Sequence, residues 1–143
     1  MSAEQTQQPG AVHRAYVELR WSDFDRFGHM NNAQYVEIVQ ESRVRFSLDN
    51  FVARGLPMPM FVVRHLEADY RIPIVPSPSK KVLVESTVTK VGRSSFTTLQ
   101  EIKDDEGRTA CAIHCVQVAL DKETLQPREI TPEEVEILTM RTA

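Results

Sequence analysis

Residues 33–51, AQYVEIVQESRVRFSLDNF, decide the fold of this chain. The stretch holds no proline and no glycine, so nothing in its backbone interrupts a helix. Such a helix is about 27 Å long. Tyr35, Val36, Ile38, Val39, Val44, Phe46 and Leu48 spread over a wide arc of the cylinder, which predicts a helix wrapped by other structure. Asn31, with Gln34 three residues on, predicts a reciprocal cap at its start. Glu37, Glu41 and Arg45 form a polar stripe that faces water or lines a site. The segment ARGLPMP, residues 53–59, ends the helix.

Outward from the helix, the pattern changes to period two. HRAYVELRW, residues 13–21, alternates, with Ala15, Val17, Leu19 and Trp21 on one side and Tyr16, Glu18 and Arg20 on the other. Residues 60–73 read as a long strand, and prolines 73, 76 and 78 make the next link stiff. Residues 80–91, 94–104 and 108–121 read as three strands, joined by turns at Gly92-Arg93 and at Gly107. In the last of them His114 shares a face with Ala112 and Val116, which predicts a hydrogen-bonded interior histidine. Thr131-Pro132-Glu133-Glu134 carries a cap, an N1 proline and an N3 glutamate, so a short helix follows. Strands grouped after one helix predict an α+β fold with a five-stranded, mainly antiparallel sheet around that helix. The expected organisation is a flexible tail over residues 1–11 and one domain over residues 12–143.

A chain of 143 residues buries about two thirds of its unfolded surface, enough for a core without metal or disulfide staples. Lys plus Arg is 17 against 20 for Asp plus Glu, and the net charge of −3 lacks the basic footprint of a nucleic-acid binder. No apolar run approaches the ~18 residues of a membrane span. Cys111 and Cys115 lie four apart on a strand, about 13 Å, too far for a disulfide. With no basic-then-apolar leader in MSAEQTQQPG, these features predict a reducing cytoplasm.

The block with chemistry is Trp21-Ser22-Asp23-Phe24-Asp25-Arg26-Phe27-Gly28-His29-Met30-Asn31-Asn32. It sets carboxylates and an imidazole just ahead of a helix N-terminus. Such a terminus offers unpaired amides and a partial positive charge, which can hold a carbonyl oxygen as it becomes an oxyanion. A nearby carboxylate attacks the carbon or deprotonates a water that does. The same residues are also ordinary turn and cap formers, so local physics alone leaves both readings open.

The block resembles the D-x-D-x-x-G-H-x-N-N-x-x-Y pattern of hotdog-fold thioesterases of the 4-hydroxybenzoyl-CoA thioesterase-like family, through Asp23, Asp25, Gly28, His29, Asn31, Asn32 and Tyr35. The element order agrees from about residue 12 to 125. The resemblance implies that Asp25 is the catalytic carboxylate, as nucleophile or as general base. It implies that Asn32, at the start of the helix, supplies the amide that polarises the thioester. His29 matches a catalytic histidine of a related branch, but Phe27 stands where that branch has an asparagine, so His29 is either chemical or structural. Asp23 is expected to fix the loop, and Glu41 is the fallback carboxylate. Asn31, Tyr35 and Phe27 are expected at the substrate, and Lys90, Arg93 and Ser94, at the turn between the third and fourth strands, at the nucleotide.

The resemblance therefore implies hydrolysis of an acyl-CoA to free acid and thiol, without metal or other cofactor. It implies a homodimer or homotetramer with the site between subunits, and neither nucleic acid nor membrane as partner. The alternatives are an acyl-CoA-binding module without turnover and an enoyl-CoA hydratase. The hydratase signature needs an Asn-Pro pair and an aspartate-to-histidine offset of five, and this chain has neither.

Overall fold

The computed structural model describes residues 11–140. The chain runs β1 (His13–Glu18), α1 (Asn32–Asn50), β2 (Phe61–Tyr70), β3 (Lys81–Val91), β4 (Ser95–Lys103), β5 (Thr109–Ala119) and α2 (Pro132–Thr139). The five strands form one sheet in the order β1-β3-β4-β5-β2, and every neighbouring pair is antiparallel. This is the expected α+β hotdog arrangement. Apart from Ala11, whose amide donates to the Met140 carbonyl at 2.7 Å, the expected N-terminal tail lies outside the described residues.

One face of α1 lies on the sheet. Tyr35, Ile38, Val39 and Ser42 are buried at three- and four-residue spacing, the period of one helix face. They meet the inward rows of the strands, among them Val17, Val82, Val84, Ile102, Cys111 and Ile113. Val39, Val84, Ile102 and Ile113 are fully enclosed. Each such side chain contributes about 1.5–3 kcal/mol by leaving water. A second cluster of Val88, Phe96, Ala119, Ile130 and Leu138 seats α2 against the far end of the sheet. Cys111 and Cys115 are both free and fully buried, and burial pushes the Cys111 thiol up to about 11. Among the described residues no helix is long and apolar enough to cross a membrane.

The start of α2 is capped as expected. The Glu134 amide donates to Thr131 Oγ1 at 3.1 Å, and the Thr131 amide donates back to Glu134 Oε1 at 2.9 Å. Four details differ from the sequence reading. The expected Asn31 side-chain cap on α1 is not made; instead the Gln34 amide donates to the Asn31 carbonyl, and the Gln34 side chain accepts from Arg20. Trp21 is 94% exposed, because β1 stops at Glu18 and a single 3₁₀ turn over Trp21–Asp23 breaks the alternation. Val44 and Leu48 face outward, so α1 is covered on one side and not all round. His114 is exposed on the outer face of the sheet, opposite Leu99 of β4 and Glu67 of β2. Both rows of β5 are apolar, so periodicity could not say which one faces the helix.

Candidate active site

Between β1 and α1 the chain folds back on itself in a short antiparallel ladder. The Asn31 amide donates to the Asp23 carbonyl at 2.8 Å, Phe24 bridges Met30, and the Asp25 amide donates to the His29 carbonyl at 2.8 Å. The Met30 amide ties this ladder to the Ile74 carbonyl in the proline-rich link. Gly28 closes the turn with a φ of +77°, a conformation that costs a side-chain-bearing residue but not glycine.

Asp23 fixes the loop, as expected. It is 3% exposed, accepts from the Arg20 amide at 2.7 Å, and accepts from the Arg20 guanidinium at 2.9 and 3.1 Å. Asp25 is exposed instead. Its Oδ1 accepts from the Phe27 amide at 2.8 Å and the His29 amide at 3.1 Å. Two amides on one oxygen hold the carboxylate in place, while Oδ2 makes no hydrogen bond to the described residues. Asp25 stands two ladder steps from the helix cap, about 7 Å along the chain. No side chain caps the first amides of α1; the Gln34 amide is spent on the Asn31 carbonyl, which leaves the Asn32 and Ala33 amides as the open donors.

The remaining expected residues take distinct places. His29 is exposed and acts through its backbone, with its amide on Asp25 Oδ1 and its carbonyl on the Asp25 amide. Phe27 is 72% exposed at the tip, with the Arg26 guanidinium 5.0 Å above its ring. Asn31 is the cap residue. Tyr35 is buried behind the site, and its hydroxyl accepts from the Ile74 amide at 3.2 Å. Burial raises the pKa of that phenol, so it stays neutral. Tyr35 thus ties the start of α1 to the proline-rich link and does not line the groove beside Asp25. Glu41 is ion-paired to Arg45 at 2.8 Å.

Lys90, Arg93 and Ser94 lie at the far end of the sheet. Lys81, at the start of β3, is near the Asp25 ladder, but the turn after Val91 is about 33 Å further along. Within one protomer the structure does not bring these three residues to Asp25. The Arg93 guanidinium stands 4.0 Å from Glu129.

Two contributors are absent from the sequence reading. Tyr70 donates from its hydroxyl to the Asn32 carbonyl at 3.0 Å and packs edge-on against Tyr35, 5.1 Å between ring centres. It pins the end of β2 to the start of α1. A groove of about 690 Å³ also opens beside Asp25, lined by Trp21, Phe24, Arg26, Pro76 and Lys80 among others. The prolines of the link signalled a rigid segment but not what it would face.

Comparison with known proteins places this geometry. Residues 19–138 match the model of the Thioesterase-like superfamily. The chain is 29% identical over 122 residues to the uncharacterised protein YsmA of Bacillus subtilis, covering 85% of this chain and 82% of that one. Among solved structures it is similar to a thioesterase from Thermus thermophilus, complexed with coenzyme A and zinc. The identity there is 26%, the TM-score 0.74, and the coverage 87% and 90% of the two chains. It also superposes on a predicted thioesterase from Bacillus stearothermophilus at 20% identity, with a TM-score of 0.78 and 93% and 100% coverage. The chain belongs to the Thioesterase-like superfamily, and its Asp25 loop and long helix lie within the matched region.

Proposed function

We propose that the protein hydrolyses an acyl-CoA thioester to a free acid and coenzyme A. The observation that carries this reading is the Asp25 carboxylate, anchored through Oδ1 and open at Oδ2, beside an uncapped helix N-terminus. Family membership supports thioester hydrolysis in general, and the coenzyme A bound to the Thermus thermophilus relative supports the thiol.

The thioester carbonyl points at the open amides around Asn32, where the helix dipole and the N–H donors stabilise the growing oxyanion. Asp25 Oδ2 attacks that carbon or takes the proton of an attacking water. Collapse of the oxyanion expels the coenzyme A thiolate. Single turnover in ¹⁸O water tests the nucleophilic route: when water opens the anhydride at the Asp25 carboxyl carbon, label enters that carboxylate, whereas general-base catalysis puts label only in the product acid.

Two copies join through β2. It is an edge strand of ten residues without proline, and Val62 and Val63 on it are exposed. Antiparallel β2–β2 pairing sets the Phe61 end of one protomer beside the Tyr70 end of the other. Ser95 and Val62 both align with Val118, so the turn bearing Lys90, Arg93 and Ser94 lies at the Phe61 end. Pairing therefore carries these residues across to the Asp25 loop of the second copy, where they meet the nucleotide.

The test is Asp25→Asn. Asparagine keeps an oxygen that accepts both amides but has no charge, so the loop stays folded. Hydrolysis of acyl-CoAs, followed by release of free thiol, is expected to fall about 100-fold or more with an unchanged melting temperature. Retained activity would remove Asp25 from the chemistry. Tight acyl-CoA binding by the wild type without any turnover would mark a binding module.

A further inference from the structure

The inner face of the fold carries a cation with no counter-charge. Arg43 projects from the middle of α1 toward the sheet and donates from Nη1 to Gln100 Oε1 at 2.9 Å. Gln100 is fully buried, and its own amide is spent on the Val39 carbonyl at 3.1 Å and Ser86 Oγ at 3.2 Å. Its oxygen is thereby fixed toward the guanidinium. No carboxylate pairs with Arg43 among the described residues. Burial lowers its pKa, and Cys115 acts the other way. The partly buried Arg128, by contrast, is fully paired, with two hydrogen bonds to Glu134. Arg43 is half-buried, and a neutral amide compensates a partly desolvated guanidinium only in part.

Arg43 lines a small cavity between α1 and the sheet. Its polar wall is Ser47, Ser86, Thr98 and Gln117, and its apolar wall includes Phe61 and Phe96. The space there is about 20 Å³, room for about one water-sized group, so a larger head group enters only as the surrounding side chains move apart. A carboxylate fits this chemistry. It accepts two parallel bonds from a guanidinium and further bonds from hydroxyls, and it supplies the missing charge.

We propose that this cavity binds a carboxylate, and that the acyl groups hydrolysed by the protein carry one at the end remote from the thioester. The inference rests on the proposed acyl-CoA hydrolysis and on β2 pairing. Phe61, a wall of the cavity, opens β2, so pairing brings the cavity beside the second copy's Tyr70 and Asn32. An acyl tail leaving that site enters between the aromatic rings and ends at Arg43.

Matched substrates test it: adipoyl-CoA against hexanoyl-CoA, and suberoyl-CoA against octanoyl-CoA. For at least one pair the wild type is expected to favour the carboxylated member by about tenfold or more in kcat/KM. Arg43→Gln, which keeps a donor for Gln100, is expected to bring that ratio to about one, mainly through KM. Equal hydrolysis of both members by the wild type, or a preference unchanged in Arg43→Gln, overturns the inference and leaves thioester hydrolysis standing. If no thioester is hydrolysed, the activity fails, and calorimetry with free suberate and free octanoate decides the site. Binding of suberate alone supports a carboxylate site for a free acid, and binding of neither ends it. The comparison of the two acids needs no variant, so it holds if Arg43→Gln does not fold.

Discussion

At the scale of the residue, the structural and the proposed catalytic role of Asp25 fall on different oxygens. Oδ1 closes the turn, and Oδ2 makes no hydrogen bond to the described residues. Asp25→Ala should therefore lose stability as well as activity, whereas Asp25→Asn should lose activity alone. Gly28 is the other decisive residue. A Cβ added there meets nothing within 4 Å, so any penalty comes from its positive φ. Gly28→Ala should cost about 1 kcal/mol, near 4 °C in melting temperature. Because the same turn presents Asp25, its kcat should drop more than its stability suggests. An unchanged melting curve would show that the turn relaxes freely. The motif was legible in the sequence because its constraints are local: a glycine at a left-handed turn and an aspartate bonding amides two and four residues on. Tyr70, which locks onto Asn32 from 38 positions away, left no local signal.

At the scale of the element, α2 is held by charge as well as by its cap. Burial raises the Glu134 pKa, but the Arg128 hydrogen bonds at 2.7 and 2.8 Å, the Thr131 amide and the Arg128 charge outweigh it. The net effect holds the carboxyl below the usual carboxylate range. A depressed folded pKa gives stability that is complete above the unfolded value and fades as pH falls through the folded one. Glu134→Gln should therefore lower stability by about 1–2 kcal/mol at neutral pH. Melting curves taken from pH 7 downward should show the gap between the two proteins closing in acid; a gap that stays constant would mean the charge of Glu134 contributes nothing. The start of α2 was readable because a capping box spans four residues. The cap of α1 was misread because Gln34 is drawn off by Arg20, a partner fourteen residues away.

At the scale of the whole molecule, the proposed assembly rests on the edge of the sheet. Wild type is expected to sediment as a dimer, and lysine at both Val62 and Val63 should make it a monomer, since charge on an edge strand opposes pairing. If the site is shared between copies, hydrolysis should fall with it, while circular dichroism stays that of the folded chain. A lysine variant that is monomeric yet fully active would place the whole site in one protomer.

The sequence by itself determined the helix, the number and order of the strands, and the Asp25 loop. These follow from hydrophobic period, breakers and short-range hydrogen bonds, all of which act within a few residues. Tertiary structure alone decided which row of β5 faces the helix, and so left His114 outside. It alone turned Trp21 to water, carried Lys90 and Arg93 to the far end of the sheet, and closed a cavity around Arg43. Alternation says that two faces differ but not which one is covered. That choice is made by packing between segments distant in sequence, where the nearest charge or its absence is also set.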